Sequence, residues 1–569
     1  MLVTLASDSV KFSDVIARVR TLARTADLLW DSDRERARSL FRAAWEASDA
    51  AEKAADERYW GGLYRQRQDQ TSGFSAVSPR PAVRSEVLRL AAKHDRSLGE
   101  EFLRQQAQSR GEATEKSRPG PLGNADASVR QRMEVARQLV DADLTEQALQ
   151  FAAPALGVID QVTVDFFSTL REKRPVMADE HYAALLSLAA SDPQSDANTV
   201  SVLSSYLFTP HQFLGFTAEG THLNGFPGNQ TPPEVAPALQ LAFFRTAASI
   251  LLRPLAPPGQ EQDSAGHGGH YLVIKRLMPL FEQRAPAEMT AALRAQLEAL
   301  APLTTKETRD RDDDDLVRSG IRPDKKAENR EQTYLDQLDH AQTSADRDRI
   351  NLKLAGLYAS KGDLRARERV EEIDDRELRT SARTFIDTRL AANALSRKDA
   401  SRVLELCRTG EFAHLSKVYF LTQAAKLLRP SENEKALTLI DFAATEARRI
   451  GGLDPDSPRA FLAVANAMLV VNRAAVWDAM TDAIKASNSA DGFGGEDGEF
   501  LAWMTDKEKY NFWSWSGSAP DFDVDKIFGK LTALDYDKSV ELAQGLSAEA
   551  PRAVATIAIA QAVLSDKKR

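Results

Sequence analysis

Residues 350–373 read INLKLAGLYASKGDLRARERVEEI, in which two stretches rich in apolar side chains flank a polar turn at residues 361–363. The same organisation is visible near the start of the chain, where Leu22, Ala26 and Leu29 follow one another at three- and four-residue steps. Apolar residues at these steps form one stripe along an α-helix. Two such helices joined by a short turn form a helical hairpin.

Helical hairpins of this kind recur along the chain. One hairpin cannot bury its apolar stripe alone, so neighbouring hairpins must stack, as they do in an α-solenoid. The step from Asp363 to Asp399 is 36 residues, but the other intervals differ from it. The sequence therefore predicts an all-α fold, an irregular α-solenoid of stacked helical hairpins, with a loop-rich middle and a short aromatic-rich insertion near the C-terminus. The hairpins are predicted at residues 19–45, 86–107, 133–155, 181–207, 350–373, 383–407, 419–444, 461–486 and 535–564.

Several predicted helix starts carry the spacing of a capping box. In this motif a short polar side chain and a Glu or Gln three residues later satisfy amides of the first helical turn. Residues 158–167 are rich in β-branched side chains, which suits a strand, but their spacing favours a helix. The capping-box pairs are Ser32 with Glu35, Ser97 with Glu100, Asp143 with Glu146, and Ser431 with Glu434.

Two segments interrupt the helical periodicity and suggest domain limits. Residues 210–269 contain clusters of Pro and Gly, which indicate loops, around a helix at about 237–252. Residues 306–331 are highly charged and lack apolar periodicity, which indicates a solvated linker. The predicted organisation is helical hairpins over 1–115, a helical region with loops over 126–300, a charged linker over 301–331, helical repeats over 332–486, a glycine- and aromatic-rich insertion over 487–525 and a terminal hairpin over 526–569.

Composition and charge exclude some classes of protein. The chain is 43% hydrophobic, which is too high for a disordered protein. Its net charge of −9 argues against a general nucleic-acid binder and against a basic surface for anionic membranes. The only cysteine, Cys407, lies in the apolar run 403–407. No intramolecular disulfide can form, and we expect a buried structural thiol.

The sequence also bears on the compartment of the protein. The first residues lack the basic start of a signal peptide and reach Asp8 early. Residues 197–218 contain no Asp, Glu, Lys or Arg, but Pro210 and many hydroxyl groups do not suit a membrane span. We therefore expect a cytoplasmic protein without a membrane span. A secreted protein whose signal peptide is missing from this sequence remains an open alternative.

One hairpin resembles a known repeat. Leu354, Ala355, Tyr358 and the turn 362–364 resemble the first helix and turn of a tetratricopeptide repeat (TPR). The resemblance ends after this turn, because Arg367 occupies the position at which the TPR pattern has a small alanine, and Ala366 comes one position early. More broadly the chain resembles uncharacterised bacterial proteins built of Leu-, Ala- and Arg-rich helical hairpins. This resemblance implies a TPR-like fold and no activity.

Histidines gather in the loop-rich middle and suggest one candidate site. His267 and His270 are three residues apart and could hold a zinc ion if His211, His222 or Glu282 supplied a third ligand. The alternative interpretation is a glycine-rich loop whose imidazoles are solvated or cap a helix starting near Tyr271.

Aromatic residues suggest a second candidate site, between residues 500 and 522. Trp503, Trp513 and Trp515 lie in this segment, which follows a glycine-rich loop. Exposed aromatic rings bind peptides or sugars at low cost in entropy. The alternative interpretation is that these rings supply the small core of an inserted segment.

Other motifs do not lead to a site. The acidic run 310–315 lacks the glycine and distal glutamate of an EF-hand, and residues 492–498 do not fit GxGxxG. A phosphate-binding GxxxxGK[ST], a GxSxG elbow and an HExxH motif are absent from the sequence. We assign no catalytic residue and expect no cofactor.

These observations favour a non-catalytic interaction scaffold that binds a protein or peptide partner through solenoid surfaces. Nucleic acid is not expected as a partner, and the oligomeric state stays open. The alternative is a hydrolase or another metal-dependent enzyme with a site in the loop-rich region 210–282.

The charged run 306–331 leads to a first prediction. We expect it to be the internal segment that trypsin cleaves first, because it combines high charge with few apolar residues. Limited digestion followed by mass spectrometry of the fragments checks this. Earlier cleavage within residues 350–486 would contradict it.

Overall fold

The predicted apolar stripes form helices. A computed structural model describes residues 1–69, 72–77, 82–111, 127–216, 221–225, 232–254, 257, 264–310, 317, 321, 330–496, 498–506 and 511–566. Helices make up 76% of the structure, far above the usual third of a globular protein. None of the described helices combines the length and the apolar character that a membrane crossing requires.

The chain forms two compact units. The first, unit 1, joins residues 1–87 to residues 329–569, and the second, unit 2, holds residues 88–328. The elements of unit 1 are α1 (Leu2–Ser9), α2 (Val15–Leu29), α3 (Arg34–Asp69), β1 (Ser72–Val77) and the start of α4 (Val83–His94), then those that follow residue 329. The elements of unit 2 are the rest of α4, then α5 (Arg96–Gly111), α6 (Ala127–Asp141), α7 (Thr145–Ala152), α8 (Gln161–Lys173), α9 (Pro175–Ser191), α10 (Ala197–Phe208), β2 (Gln212–Phe216), β3 (Thr221–Gly225), α11 (Pro237–Leu251), α12 (Gly266–Arg284), α13 (Ala287–Leu300) and α14 (Lys306–Asp310).

After residue 329, helical hairpins of unit 1 stack in chain order. Leu354, Leu390 and Leu421, one from each of three successive hairpins, are buried in one continuous apolar cluster. The elements of this part are α15 (Arg330–Asp339), α16 (Ser344–Lys361), α17 (Arg365–Glu371), α18 (Arg376–Ser396), α19 (Ala400–Thr409), α20 (His414–Leu428), α21 (Asn433–Ala447), α22 (Asp456–Val471), α23 (Val476–Ser489), β4 (Glu499–Asp506), β5 (Asn511–Ser518), α24 (Val524–Thr532), α25 (Tyr536–Gln544) and α26 (Glu549–Asp566).

The two ends of the chain meet within unit 1. Helix α26 packs against α1 and α2, and Leu5 and Phe12 share a small buried cluster with Ile557. A ring of four charges lies nearby, in which Arg20 and Arg24 of α2 both bind Glu86 and Glu496. Burial opposes the charge on Arg24, but Glu496 and Glu86 raise its pKa above the usual value. These four ion pairs hold α2, α4 and the segment before β4 together.

Three hairpin turns share one backbone motif. Gly362, Lys398 and Asp143 each follow a helix with a positive φ, of 74°, 59° and 61°. At each, the amide of this residue and the next amide bond back to carbonyls of the helix; at Gly362 the acceptors are Ala359 and Tyr358, both at 3.0 Å. This is the Schellman motif, which ends a helix and starts a tight turn. The predicted turns at 361–363 and near Asp399 are therefore confirmed.

The predicted capping boxes are wrong in detail. Asp33 accepts a hydrogen bond from the first turn of α3, while the Ser32 hydroxyl donates to the Leu29 carbonyl. Asp95 likewise caps α5 in place of Ser97. A neighbouring carboxylate accepts a backbone hydrogen bond more strongly than a hydroxyl does. At the other two sites, Asp143 occupies the left-handed turn and Ser431 donates to the carbonyl of Leu428.

The aromatic-rich insertion is a β-hairpin, which the sequence did not indicate. Strands β4 and β5 pair antiparallel, and β1 adds on the other side of β4, so that the order is β1–β4–β5. Phe74 and Phe500 stack with ring centroids 5.2 Å apart, and both rings approach Tyr419 of α20. One face of this sheet thus packs onto the stacked helices.

Unit 2 contains a second hairpin, β2–β3, within the predicted loop region. Buried Asn198 of α10 accepts a hydrogen bond from the Phe216 amide at 2.8 Å and donates to its carbonyl at 2.9 Å. In the predicted linker, residues 306–310 form α14, and Val317 is only 1% exposed. Arg276 of α12 donates to the Val317 carbonyl at 2.6 Å. These contacts show that part of the charged run is packed within unit 2.

The shared turn motif allows a paired test of stability. Lys398→Gly should raise the free energy of unfolding by about 0.5–1 kcal/mol, because glycine adopts the left-handed conformation without strain. Gly362→Ala should lower it by about 1–2 kcal/mol, since its Cβ would also lie 2.3 Å from Asn393 Oδ1. Urea unfolding followed by circular dichroism measures both changes. Loss of stability in Lys398→Gly would contradict this account.

Candidate functional site

One face of α18 lines two clefts that follow one another along the helix. The larger has a volume of about 410 Å³ and is closed on one side by Ser401, Arg402 and Glu405 of α19. The smaller, of about 230 Å³, lies between α17 and the residues after α19. We call the two clefts together the α18 groove. Its lining residues on α18 lie along one face of the helix and are Arg383, Ile386, Asp387, Leu390, Asn393 and Ala394, and Arg397 directly follows the helix.

Asp387 is the most buried charged group of the groove, with its side chain 6% exposed. Arg367 Nε donates to its Oδ1 at 2.6 Å, and the Glu411 amide donates to its Oδ2 at 2.7 Å. Burial raises the pKa of Asp387 above its usual value, against the lowering effect of the Glu411 amide and Arg367. Gly410 leaves the space for this contact, because a Cβ there would lie 2.6 Å from Asp387 Oδ2.

Arg367 presents a donor that the described residues do not satisfy. Its Nη1 donates to Thr409 Oγ1 at 3.1 Å, but its Nη2 is buried and meets no acceptor in the described part of the chain. A buried donor without an acceptor costs free energy.

The other charged side chains of the groove also have partners. Arg383 forms a two-point ion pair with Glu371, at 2.8 and 2.6 Å, and Arg402 pairs with Glu405 at 2.6 Å. Arg397 Nη2 donates to the Lys361 carbonyl at 2.8 Å. The groove is therefore polar and carries both signs of charge, which suits a polar chain more than an apolar ligand.

The three predicted tryptophans do not share one surface. Trp503 is buried, with 4% exposure, on the sheet face opposite the stacked helices. Trp515 lies on the other face, half-buried against Phe500 at a centroid distance of 4.6 Å. The side chain of Trp513 lies outside the described residues. Of the two that are described, only Trp515 reaches solvent.

The four predicted histidines are also dispersed. His267 and His270 are not in a loop but in the first turns of α12, both buried, and His270 Nε2 lies 3.0 Å from the Leu251 carbonyl oxygen. His222 is exposed on β3. Among the described residues, no three His, Cys, Asp or Glu side chains are arranged to hold a metal ion.

His211 instead joins two carboxylates of α8. Its Nδ1 lies 2.6 Å from Asp165 Oδ1 and its Nε2 lies 3.5 Å from Glu172 Oε1, while Arg137 of α6 lies 3.8 Å from Asp165 Oδ2. The hydrogen bond to Asp165 raises the pKa of His211 against the effect of burial. His211 also has a φ of +62°, so it forms the turn between α10 and β2.

Cys407 is buried, as expected, and burial raises the pKa of its thiol to about 12. It therefore carries almost no thiolate at neutral pH. The groove residues Arg367 and Asp387 were not predicted as a site. Their one sequence signal was the departure of Arg367 from the TPR pattern, and the structure buries Ala366 in the place of the small residue.

Comparisons with known proteins identify no family. No protein family matches the chain, and no curated protein is similar to it. A search of solved structures finds a "circular tandem repeat protein with novel repeat topology and enhanced subunit contact surfaces". It is 12% identical over 97% of this chain and 98% of its own, with a TM-score of 0.16, which is too low to support an argument.

The contacts of His211 predict a dependence on pH. A raised pKa in the folded state means that the ion pair stabilises the protein fully below the unfolded pKa of about 6.5 and less as pH rises through the folded value. His211→Asn tolerates the left-handed turn but cannot titrate. The urea midpoint should therefore differ more between wild type and variant at about pH 6 than at about pH 9. An equal difference at both pH values would contradict the ion pair.

Proposed function

We propose that this chain is a non-catalytic interaction scaffold and that the α18 groove binds an extended segment of a protein or peptide partner. The observation that carries the proposal is the polar groove itself, whose wall includes Arg367, a side chain that is 30% exposed and has one guanidinium donor without an acceptor among the described residues. Peptide backbones offer a carbonyl at every residue, so an extended chain supplies such an acceptor wherever it passes.

The dimensions of the groove support this class of ligand. From Arg383 to Arg397 the groove follows α18 and the residue after it for roughly 21 Å, at 1.5 Å per residue. An extended chain of about six residues covers the same distance. The paired arginines and glutamates along the walls favour a segment of mixed charge over a strongly acidic or basic one.

We also propose that the hairpins that form the groove are TPR-like. Turns at Gly362 and Lys398 repeat the same motif 36 residues apart, and Leu354 and Leu390 are buried at equivalent places. Stacked hairpins of this type present extended surfaces that bind partners without chemistry. The groove between α17 and α19 is such a surface.

Filling the groove tests the proposal. Ser401 is exposed in the wall of the larger cleft, so Ser401→Trp should occupy the cleft without removing a buried contact. Peptides selected on the purified wild-type chain from a phage-displayed library should bind this variant at least about tenfold more weakly. Isothermal titration calorimetry with the synthetic peptides measures the change.

A matched substitution controls for the added ring. Ser489→Trp places the same side chain on the exposed end of α23, away from the groove, and should bind the selected peptides as the wild type does. Failure to enrich any peptide, or peptides that bind Ser401→Trp undiminished, would refute the groove as the binding site.

A further inference from the structure

Strand β5 is the edge of its sheet. It pairs with β4 on one side, and within the described part of the chain no strand pairs with its other side. Proteins usually protect such an edge with charged side chains, proline or a bulge, because its free amides and carbonyls pair with other strands. Residues 511–518 read NFWSWSGS and contain neither a charge nor a proline.

The side chains at the end of β5 alternate in size. Trp515 and Gly517 point to the face that packs on the helices, whereas Ser514, Ser516 and Ser518 are exposed on the other face. Trp515 is half-buried, so one side of its ring already has a partner. A strand added at this edge would meet one large ring, one glycine and small hydroxyl side chains.

The sheet already contains an aromatic ring over a glycine. Phe500 of β4 lies opposite Gly517 of β5, and a Cβ at Gly517 would lie 2.6 Å from the Phe500 ring. On its other side β4 places Trp503 opposite Gly73 of β1. Aromatic–glycine pairs across strands are thus a repeated feature of this sheet, and such pairs stabilise glycine in strands.

We propose that two copies of this chain associate by antiparallel pairing of their β5 strands, centred on Ser516. In this register Trp515 of each copy lies opposite Gly517 of the other, which repeats the aromatic–glycine pairing found within the chain. Ser516 faces its own equivalent, and Ser514 faces Ser518. The arrangement has twofold symmetry, so the same edge serves both copies.

The sequence of β5 indicates that the strand added at this edge is a second copy of β5. Two identical strands pair well if like charges do not face one another and if a large side chain of one strand faces a small one of the other. Uncharged residues 511–518 meet the first condition, and the Trp515–Gly517 spacing meets the second. This interface is separate from the α18 groove, so the two proposals stand or fall independently.

Charge substitutions at the centre test the pairing. Ser516→Lys and Ser516→Glu each place like charges opposite one another across the twofold axis, so each variant should be monomeric while the wild type is dimeric. An equimolar mixture of the two should restore a heterodimer, because lysine then faces glutamate. Sedimentation velocity over a concentration series measures the masses, and circular dichroism checks that each variant is folded.

Ser187→Lys on the exposed face of α9 adds the same charge elsewhere and should leave the dimer intact. A wild-type chain that is monomeric at every concentration would overturn the proposal, as would a Ser516→Lys variant that stays dimeric. A mixture of the two variants that fails to associate would refute the register centred on Ser516. Loss of the dimer in Ser187→Lys would also count against it.

Discussion

A helical hairpin cannot cover its own apolar stripe, so each hairpin needs its neighbours in the stack, and the rest of unit 1 depends on this constraint. Leu354, Leu390 and Leu421 belong to successive hairpins and share one buried cluster. The sheet covers part of the same cluster through Phe74 and Phe500. A stack of this kind needs a cover at its ends, and α26 packs against α1 and α2 in the part of the unit where the chain ends meet.

Local periodicity predicted the helices well because a stripe and the turn after it lie within a few residues of each other. The turn at Gly362 is an example, since glycine favours the left-handed backbone that ends the helix. The strands were missed for the opposite reason. Strand β1 pairs with β4 more than 400 residues away, and neither strand carries a local signal that names its partner. Glycines before Tyr271 suggested a loop, yet Gly269 lies in α12. A Cβ at this position would lie 2.6 Å from the Cβ of Ala265, so the close packing there requires a glycine.

The candidate groove was hidden from sequence reasoning in a similar way. Asp387 and Arg367 lie on different helices, and only the stacking of α17 on α18 brings their charges to 2.6 Å. Searches for histidine or tryptophan clusters follow residue type along the chain, whereas burial decides which of these side chains meet. Trp503 is buried within unit 1 and His270 within unit 2.

Unit 1 takes its parts from both ends of the chain, and this has a consequence for synthesis. Helix α2 ends at Leu29, and α26, which packs against it, begins at Glu549. At about 5–20 residues per second, a ribosome needs roughly 25–100 s to make the residues between them. During that time the face of α2 that α26 covers is exposed on the nascent chain, while residues 88–328 emerge complete and are able to fold. The order of translation therefore completes the inserted unit before the unit that encloses it in sequence.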